Sequence, residues 1–295
     1  MMKRRHLLGR SKEALTAYLM LLPDTIGLAI FIFVPMLFAV YTSFHSWNGI
    51  EPMKFIGLAN YKRLIGDVDF WTSLVVTLKY SIVYIPAVYC VSLGLALLIN
   101  KLRGKFELFT RMAFFLPYSI STVVAGLLWM FMYDPKSGYF NVILSKLGIP
   151  KQQFLASSSQ ALLSVVVVSV WLIVGYNMII FLAALKEVPL DYYEAADLDG
   201  ASAVQKFLHI TLPSIKNTSL FILVVTTIGS FQVFDQIKVM TNGGPAKATE
   251  VTVFHIYNQA FTLFDFGYSS TMAVALLVII MILSLFQFKL LGRKE

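Results

Sequence analysis

The chain has 295 residues, of which 58% are hydrophobic and only 14% are charged. Soluble domains carry roughly 25% charged residues, and the mean hydropathy of +0.74 places this chain in the membrane class. The net charge of +8 does not indicate a nucleic acid partner, because the basic residues flank apolar runs and membrane topology explains them. Cys90 is the only cysteine, which excludes an intrachain disulfide and a cysteine metal site.

Six apolar runs are long enough to cross a hydrocarbon core, which requires about 20 helical residues. Helix is the required conformation, because lipid offers backbone groups no partner and the runs lack the alternation of a β-barrel. The sequence predicts an all-α membrane protein with one transmembrane domain, residues 1–295, and spans at about 17–44, 73–99, 111–133, 161–185, 217–240 and 268–291.

The distribution of Lys and Arg predicts that both termini lie in the cytoplasm. With that orientation, the cytoplasmic segments hold 15 basic residues and the outer loops hold seven, as the positive-inside rule requires. The cytoplasmic segments are 1–16, 100–111, 186–216 and 289–295. The outer loops are 45–72, 134–160 and 241–267.

The polar segment 186–216 between spans four and five is longer than a return turn needs. Pro189 stands where a helix could start, and acidic residues cluster in its first turns, where the helix dipole favours them: Asp191, Glu194, Asp197 and Asp199. Gly200 permits either a close backbone approach or a change of direction. One alternative is an amphipathic helix that rests on lipid. The four acidic residues argue against that alternative, because anionic lipid repels them.

The same segment contains Glu194-Ala195-Ala196, then Gly200 four residues after the second alanine, and it ends with Ile210-Thr211-Leu212-Pro213. This pattern resembles the cytoplasmic docking loop of ABC-importer permeases. Further pieces are similar, in the same order, to sugar permeases of the maltose-permease type: Phe55–Tyr61, Phe114–Pro117, Trp129 with Asp134-Pro135, Thr241–Pro245 and Phe266–Ser270. The chain departs from the maltose permease in having six spans and no large outer domain.

The resemblance implies the fold of a type I ABC importer permease with a cytoplasmic coupling helix at Glu194–Ala201. The residues that it assigns to coupling with a separate ATPase are Glu194, Ala195, Ala196, Asp197, Gly200, Leu212 and Pro213. A short rigid helix seated in a moving partner can transmit the roughly 5.5 kcal/mol that a two-state switch requires, whereas a flexible loop cannot.

Polar and aromatic side chains in spans four and five are candidates for contact with substrate. They are Trp171, Tyr176, Asn177, Thr226, Ser230 and Gln232. Positions 169, 173, 176 and 180 share one helical stripe, as do 226, 230 and 233. In the maltose permease the equivalent stripes contribute to the sugar site, and Tyr176 matches an aromatic residue there, whereas Ile173, Gly229 and Val233 differ. The alternative is that these side chains only pack the helices.

Several kinds of chemistry are absent from the sequence. No Gly-x-x-x-x-Gly-Lys-Ser/Thr loop occurs, so the chain does not bind ATP in the P-loop manner. The four histidines never pair at metal-ligand spacing: His6, His45, His209 and His255. The sequence therefore predicts a non-catalytic subunit without a metal or cofactor of its own, and the resemblance assigns ATP and Mg²⁺ to a partner ATPase.

The predicted function is that of a permease subunit of a bacterial ABC importer for a sugar or oligosaccharide, located in the cytoplasmic membrane. The implied partners are a second homologous permease, two ATP-binding subunits and an extracytoplasmic solute-binding protein, with outer loops around Asn60 and Asn242 as candidate receptor contacts. One alternative is a membrane scaffold or sensor. Another is an ion-coupled secondary transporter, against which the scarcity of ionisable residues at the span centres argues.

Overall fold

The computed structural model describes residues 17–291 of the chain. Residues 1–16 and 292–295, which carry part of the predicted orientation signal, lie outside the described residues. In chain order the described helices are α1 Ala17–Ser43, α2 Ala59–Ile65, α3 Val68–Ile99, α4 Gly104–Phe115, α5 Thr122–Met132, α6 Tyr139–Lys146, α7 Ala161–Glu187, α8 Leu190–Leu198, α9 Ala203–Ser214, α10 Lys216–Phe231, α11 Asp235–Met240, α12 Thr252–Phe261 and α13 Phe266–Leu291. Two-residue strands β1 (His45–Ser46) and β2 (Lys54–Phe55) pair antiparallel.

Four helices, α1, α3, α7 and α13, are each long and apolar enough to cross a membrane. Two bent helix pairs bring the number of candidate spans to as many as six, and the prediction of an all-α membrane fold is confirmed. The second span starts at Val68, earlier than predicted, because the Asp67 carboxylate caps the helix by accepting hydrogen bonds from the backbone N–H groups of Asp69 and Phe70, as N-cap residues do.

The third predicted span, 111–133, is not one straight helix. Helix α4 continues through a 3-10 turn at Leu116–Ser119 and then meets α5 at an angle of 98°. The chain is extended at Ile120 and Ser121, with ψ angles of 138° and 132°. Pro117 in this turn lacks a backbone N–H and so cannot continue the helical hydrogen-bond ladder.

The fifth predicted span, 217–240, is also interrupted. It is preceded by α9, which meets α10 at an angle of 71° around Ile215. Helix α10 then stops at Phe231, and α11 starts only at Asp235. The acidic Asp235 in the first turn of α11 suits the positive end of the new helix.

By backbone contacts the described part of the chain divides into two compact units, residues 17–66 with 258–275 and residues 67–257 with 276–291. In the first unit, the buried amide of Asn60 donates hydrogen bonds to the carbonyl oxygens of Ser43 (3.1 Å) and His45 (3.0 Å). The side chain of Asn60 therefore holds its loop from inside and is not itself displayed to a receptor. Asn242, in the second unit, is exposed.

The core of the second unit lies between α3 and α7. Val76, Tyr80, Tyr84 and Val88 recur every four residues along α3, so they form one stripe, and they pack in a cluster with residues 165–172 of α7. The hydroxyl of Ser92 on α3 also donates to the carbonyl oxygen of Val174, at 3.1 Å. The coupling segment packs against this pair of helices, and candidate pathway residues lie on α7.

Candidate coupling segment and transport pathway

Helix α8 carries the Glu-Ala-Ala sequence and is a short, separate helix. It begins after Pro189, which has an extended backbone (φ −59°, ψ 132°), and Asp191 lies in its first turn. None of its residues is buried. Glu194, Ala195 and Asp197 are exposed, and Ala196 is half-buried.

Gly200 ends α8 in a left-handed conformation with φ +73°. The N–H of Ala201 donates to the carbonyl oxygen of Ala196 (2.9 Å), and the N–H of Gly200 donates to that of Asp197 (3.1 Å). These two bonds form a Schellman motif, for which glycine is preferred because it has no Cβ. A Cβ at Gly200 would meet no atom within 4 Å. The glycine therefore serves the change of direction and not a close approach.

Helix α9 restarts the chain two residues later through a capping box. The hydroxyl of Ser202 accepts a hydrogen bond from the N–H of Gln205 (3.4 Å), and the Gln205 side-chain oxygen accepts from the N–H of Ser202 (2.8 Å). This reciprocal pair satisfies donors that would otherwise be free at the helix start. The caps on the two sides of Gly200 thus fix where α8 ends and where α9 begins.

Two contacts hold α8 and α9 together. The Tyr193 and Thr211 hydroxyls lie 2.9 Å apart and share a hydrogen bond. The Lys206 ammonium pairs with the Asp197 carboxylate. The hydrogen bond between Tyr193 and Thr211 is shielded from solvent, because Thr211 is buried. The ion pair is more exposed, because the Asp197 side chain lies at the surface. Together they make residues 190–214, called here the coupling segment, a two-helix unit and not a loop.

One side of the coupling segment is anchored and the other is free within the described chain. Tyr193, Phe207 and Ile210 pack against the apolar cluster at the ends of α3 and α7. On the free side, the side chain of Leu198 is 91% exposed and that of Val204 is 66% exposed. The other large apolar side chains exposed in the segment are Leu190, Tyr192 and Leu208. Leu212 is half-buried, and Pro213 is exposed next to the bend at Ile215.

An ion cluster that sequence reasoning missed lies where α7 leads into the coupling segment. The carboxylate of Glu107 on α4 pairs with the Lys186 ammonium at the end of α7 and with the Arg111 guanidinium one turn along α4, at 3.0 Å. Only the spacing of Glu107 and Arg111 is visible in the sequence, because Lys186 is far away along the chain. The cluster connects the bent third span to the helix that enters the coupling segment.

The predicted pathway residues of span four lie on α7 among aromatic rings. Tyr176 is half-buried and stacks on Tyr118, with centroids 4.6 Å apart and an angle of 20° between the planes. Trp171 meets Trp129 edge-on at 5.5 Å. Asn177 is buried within the chain. The bent third span supplies Tyr118 and Trp129, so the bend brings a second set of rings to α7.

Gly175 on α7 allows the end of α4 to lie close to that helix. A Cβ on Gly175 would collide with the carbonyl oxygen of Phe114, so only glycine lets the end of α4 lie directly against α7. Tyr176 follows immediately in the sequence. Gly175 thereby sets the distance at which Tyr176 meets Tyr118.

The predicted pathway residues of span five lie near the end of α10. Thr226 and Ser230 are buried, and the Ser230 hydroxyl donates to the carbonyl oxygen of Thr227 at 2.7 Å. Gln232 is exposed and is the first residue after α10, in the interruption before α11. Val233 packs in the same apolar cluster as Ile173 and Trp171, so the structure brings one position of each predicted stripe into one cluster. Helix interruptions of this kind free backbone groups for polar ligands in transporters.

Residues 89–294 match the family of the binding-protein-dependent transport system inner membrane component. The chain belongs to this family. It is therefore a transport permease and a multi-pass protein of the inner membrane, and the scaffold and secondary-transporter alternatives are not favoured. Within residues 17–291, no group of three or more His, Cys, Asp or Glu side chains could hold a metal ion.

Relatives of similar length support this membership. The permease is 37% identical over 291 residues to the probable ABC transporter permease protein YurN of Bacillus subtilis, covering 97% of this chain and 99% of the relative. It is 36% identical to the sn-glycerol-3-phosphate transport system permease protein UgpA of Agrobacterium fabrum, covering 94% of each chain. It is 35% identical to the trehalose/maltose transport system permease protein MalF of Thermococcus litoralis, covering 92% of each.

Solved structures support the type I importer fold. A chain of a bacterial ABC transporter involved in the import of the acidic polysaccharide alginate matches with a TM-score of 0.84 and 25% identity, covering 98% of the permease and 99% of that chain. A second structure of the bacterial alginate transporter, in complex with a periplasmic protein bound to an alginate pentasaccharide, matches with a TM-score of 0.82 and 25% identity, covering 94% and 93%.

Proposed function

We propose that this permease forms half of the membrane pathway of an ABC importer for a neutral sugar or oligosaccharide. The second half would be a homologous permease, and a solute-binding protein would deliver the substrate from outside. Relatives named for carbohydrate transport support the substrate class. In this role the whole chain, residues 1–295, acts as one transmembrane domain with both termini in the cytoplasm.

Relatives named for sn-glycerol-3-phosphate transport suggest a second candidate, a phosphorylated polyol. A phosphate ester is recognised best by Arg or Lys, which supply charge-assisted hydrogen bonds. None of the six predicted pathway residues is cationic: Trp171, Tyr176, Asn177, Thr226, Ser230 and Gln232. Aromatic faces and neutral hydrogen-bonding groups suit a sugar, and we therefore favour the neutral carbohydrate.

We further propose that the coupling segment docks in a cleft of a partner ATPase, which binds ATP and Mg²⁺ and hydrolyses ATP. Glu194, Ala195, Ala196, Asp197 and Gly200 would lie at the docked end, whereas Leu212 and Pro213 would carry the movement into α10. The observation that supports this most is the free side of the segment. A helix that is capped at Gly200 and anchored through Tyr193 has the stiffness to transmit force, and the exposed Leu198 offers an apolar contact.

Disulfide or bifunctional thiol cross-linking tests the docking directly. Leu198→Cys, in a chain where Cys90 is replaced by Ser, is expected to cross-link to cysteines placed along the cleft of the co-expressed ATPase. The yield should change when ATP is added. The matched control is Leu147→Cys, which is 68% exposed in the outer loop 134–160 and should give no such product. Equal labelling of Leu198→Cys by a water-soluble maleimide with and without the ATPase would contradict the docking.

Uptake measurements test the substrate class. A strain that lacks the permease gene should lose uptake of a labelled oligosaccharide and regain it with the intact gene. Loss of sn-glycerol-3-phosphate uptake with carbohydrate uptake unchanged would overturn the proposed substrate class and leave the docking proposal standing.

A further inference from the structure

The segment between α5 and α7 has an unusual charge distribution. It contains Lys136, Lys146 and Lys151, and after Asp134 the next acidic residue along the chain is Glu187. The carboxylate of Asp134 is occupied by its own turn, where it accepts hydrogen bonds from the N–H and hydroxyl of Ser137. Within residues 17–291, none of the three ammonium groups lies in an ion pair. The segment therefore has uncompensated positive charge.

The three lysines surround one cavity of about 400 Å³, beside Asn141, Val142 and Ser145 on α6. Asn141 is buried, and its side chain ties the walls together. Its amide group donates to the carbonyl oxygens of Pro135 (3.2 Å) and Gln152 (2.8 Å), and its oxygen accepts from the N–H of Gln152 (2.8 Å). The Lys151 ammonium also donates to the carbonyl oxygen of Lys136 at 3.3 Å. The hydrogen bonds of Asn141 thus hold the walls of the cavity in place, and lysine ammonium groups line its rim.

The opposite side of α6 faces a second cavity, of about 330 Å³, with an aromatic lining. Trp129, Tyr133, Phe140 and Phe154 form it, and neighbouring rings lie 4.8 to 6.2 Å apart. Val167 of α7, which is 44% exposed, closes it toward the membrane-spanning part of that helix. A lining this apolar offers a sugar few hydrogen-bonding partners, but it suits a hydrocarbon chain.

Further apolar side chains of the same segment have no cover within the described chain. Tyr139, Val142, Leu147 and Ile149 are all exposed. A short helix with lysines at its end and in the flanking loops, and with aromatic and aliphatic side chains on its surface, suits an element that lies in the membrane interface. Aromatic residues concentrate at that depth, and a phosphate group accepts charge-assisted hydrogen bonds from lysine ammonium groups.

From these observations we infer that residues 134–156 bind an anionic glycerophospholipid, with its phosphate among Lys136, Lys146 and Lys151 and an acyl chain in the aromatic cavity. The two cavities lie on either side of one helix of eight residues, so a single lipid can straddle the helix. A soluble anion would use only the cationic cavity, whereas a phospholipid uses both. The lipid would lie in the outer leaflet, because the orientation in the proposed function, on which this point rests, puts residues 134–160 outside.

Lipid retention by the purified full-length permease tests this inference without any transport measurement. The protein is equilibrated with phosphatidylglycerol and phosphatidylcholine in equal amounts, and the bound lipid is counted by native mass spectrometry. We expect phosphatidylglycerol to be retained selectively. The variant Lys146→Gln/Lys151→Gln should lose roughly thirtyfold in phosphatidylglycerol affinity, since each basic residue near a membrane surface contributes roughly a fivefold preference for anionic lipid.

The matched control is Lys54→Gln/Lys62→Gln, which removes two exposed lysines from the predicted outer loop 45–72 and should change retention by less than twofold. Leu144→Trp, which fills the aromatic cavity, should weaken phosphatidylglycerol binding without changing the charge. Displacement of the lipid by millimolar inorganic phosphate, with Leu144→Trp having no effect, would show a simple phosphate site and overturn the inference.

Equal retention by the intact permease and Lys146→Gln/Lys151→Gln would also overturn it. So would a lysine variant that keeps its lipid but loses affinity for the solute-binding protein, because the surface would then serve the receptor. Failure of sugar uptake has no bearing on lipid counting, so the two proposals can fail separately.

Discussion

The Tyr193 hydroxyl shares a hydrogen bond with the Thr211 hydroxyl, 18 positions later in the sequence, at 2.9 Å. The bond joins the first helix of the coupling segment to the last turn before α10. A load applied to α8 therefore reaches the fifth span through a side-chain contact as well as through the backbone around Gly200. Together with the Lys206–Asp197 ion pair, this bond would let the segment transmit movement in the coupling role proposed above.

Removal of that hydroxyl is expected to weaken coupling without unfolding the permease. Tyr193→Phe keeps the ring that packs against the apolar cluster and deletes only the hydrogen bond, which contributes about 1 kcal/mol. Sugar transported per ATP hydrolysed in proteoliposomes should fall about twofold to fivefold. Tyr18→Phe, on an exposed ring of α1 outside the coupling segment, is the control and should transport normally. A normal ratio in Tyr193→Phe would show that the bond carries no load.

Gly200→Ala should uncouple ATP hydrolysis from uptake. Alanine in the left-handed conformation costs roughly 1–2 kcal/mol, so the Schellman motif and the angle between α8 and α9 should be lost. Gly200→Asn should retain more activity, because asparagine tolerates this conformation better.

Gly148 provides a matched control, because it has a similar φ of +72° and equally open surroundings in the predicted outer loop 134–160. Gly148→Ala carries the same backbone strain and should leave the ratio of uptake to hydrolysis unchanged. If both alanine variants reduced the ratio equally, a general loss of stability would explain the result, and the coupling role of Gly200 would be refuted.

Gly175→Ala should destabilise the helix packing. The added methyl group collides with the carbonyl oxygen of Phe114, and overpacking of this kind costs about 1–3 kcal/mol. The midpoint of thermal unfolding in detergent should decrease. Gly229→Ala is the paired control, since a Cβ there meets nothing within 4 Å, and its unfolding midpoint should match that of the intact permease or exceed it. The reverse order of stability would contradict the close helix approach.

Tyr176→Leu should impair substrate handling more than Tyr176→Phe. Phenylalanine keeps the stacking on Tyr118, whereas leucine removes it, and an aromatic pair is worth about 0.5–1.5 kcal/mol. We expect the KM for sugar uptake to rise about threefold to tenfold in Tyr176→Leu, with the ATPase activity of the complex intact. A change in unfolding temperature with an unaltered KM would mean that Tyr176 only packs the helices.

Glu107→Gln should loosen the connection between the bent third span and the start of the coupling segment. The variant loses the charge that holds Lys186 and Arg111, so ATP hydrolysis should continue while uptake declines. Glu187→Gln is the control, because it removes an exposed carboxylate next to Lys186 and should behave like the intact permease. Recovery of uptake in Glu107→Gln at high salt would argue against the ion cluster as the connection.

Hydropathy predicts where the apolar spans lie, because burial in lipid requires about 20 apolar residues whatever the neighbouring residues are. It does not predict the 98° bend after Pro117 or the interruption after Phe231. Membrane helices tolerate proline when neighbours satisfy the freed groups, so Pro86 lies inside a long helix while Pro117 marks a sharp bend. The difference depends on packing that the local sequence does not encode.

The same limit applies to the candidate site. Glu194, Ala196 and Gly200 are recognisable because their order in the chain is itself the signal. Tyr118 and Glu107 are not, since each meets its partner on α7 only when the third span packs against that helix. A tyrosine after a proline has no pattern that distinguishes it from many others in an aromatic-rich chain. The exposed side of the coupling segment could be predicted from composition, whereas its anchored side required the three-dimensional contacts.

The exposure of Leu198 has a consequence for the life of the newly made permease. If the coupling segment docks as proposed, a permease without its ATPase would leave the apolar Leu198 side chain exposed to the cytoplasm. Because chaperones and proteases act on proteins that expose apolar surface, we expect an excess of permease over ATPase to be degraded. Leu198 would in this way match the two subunits in number during biogenesis.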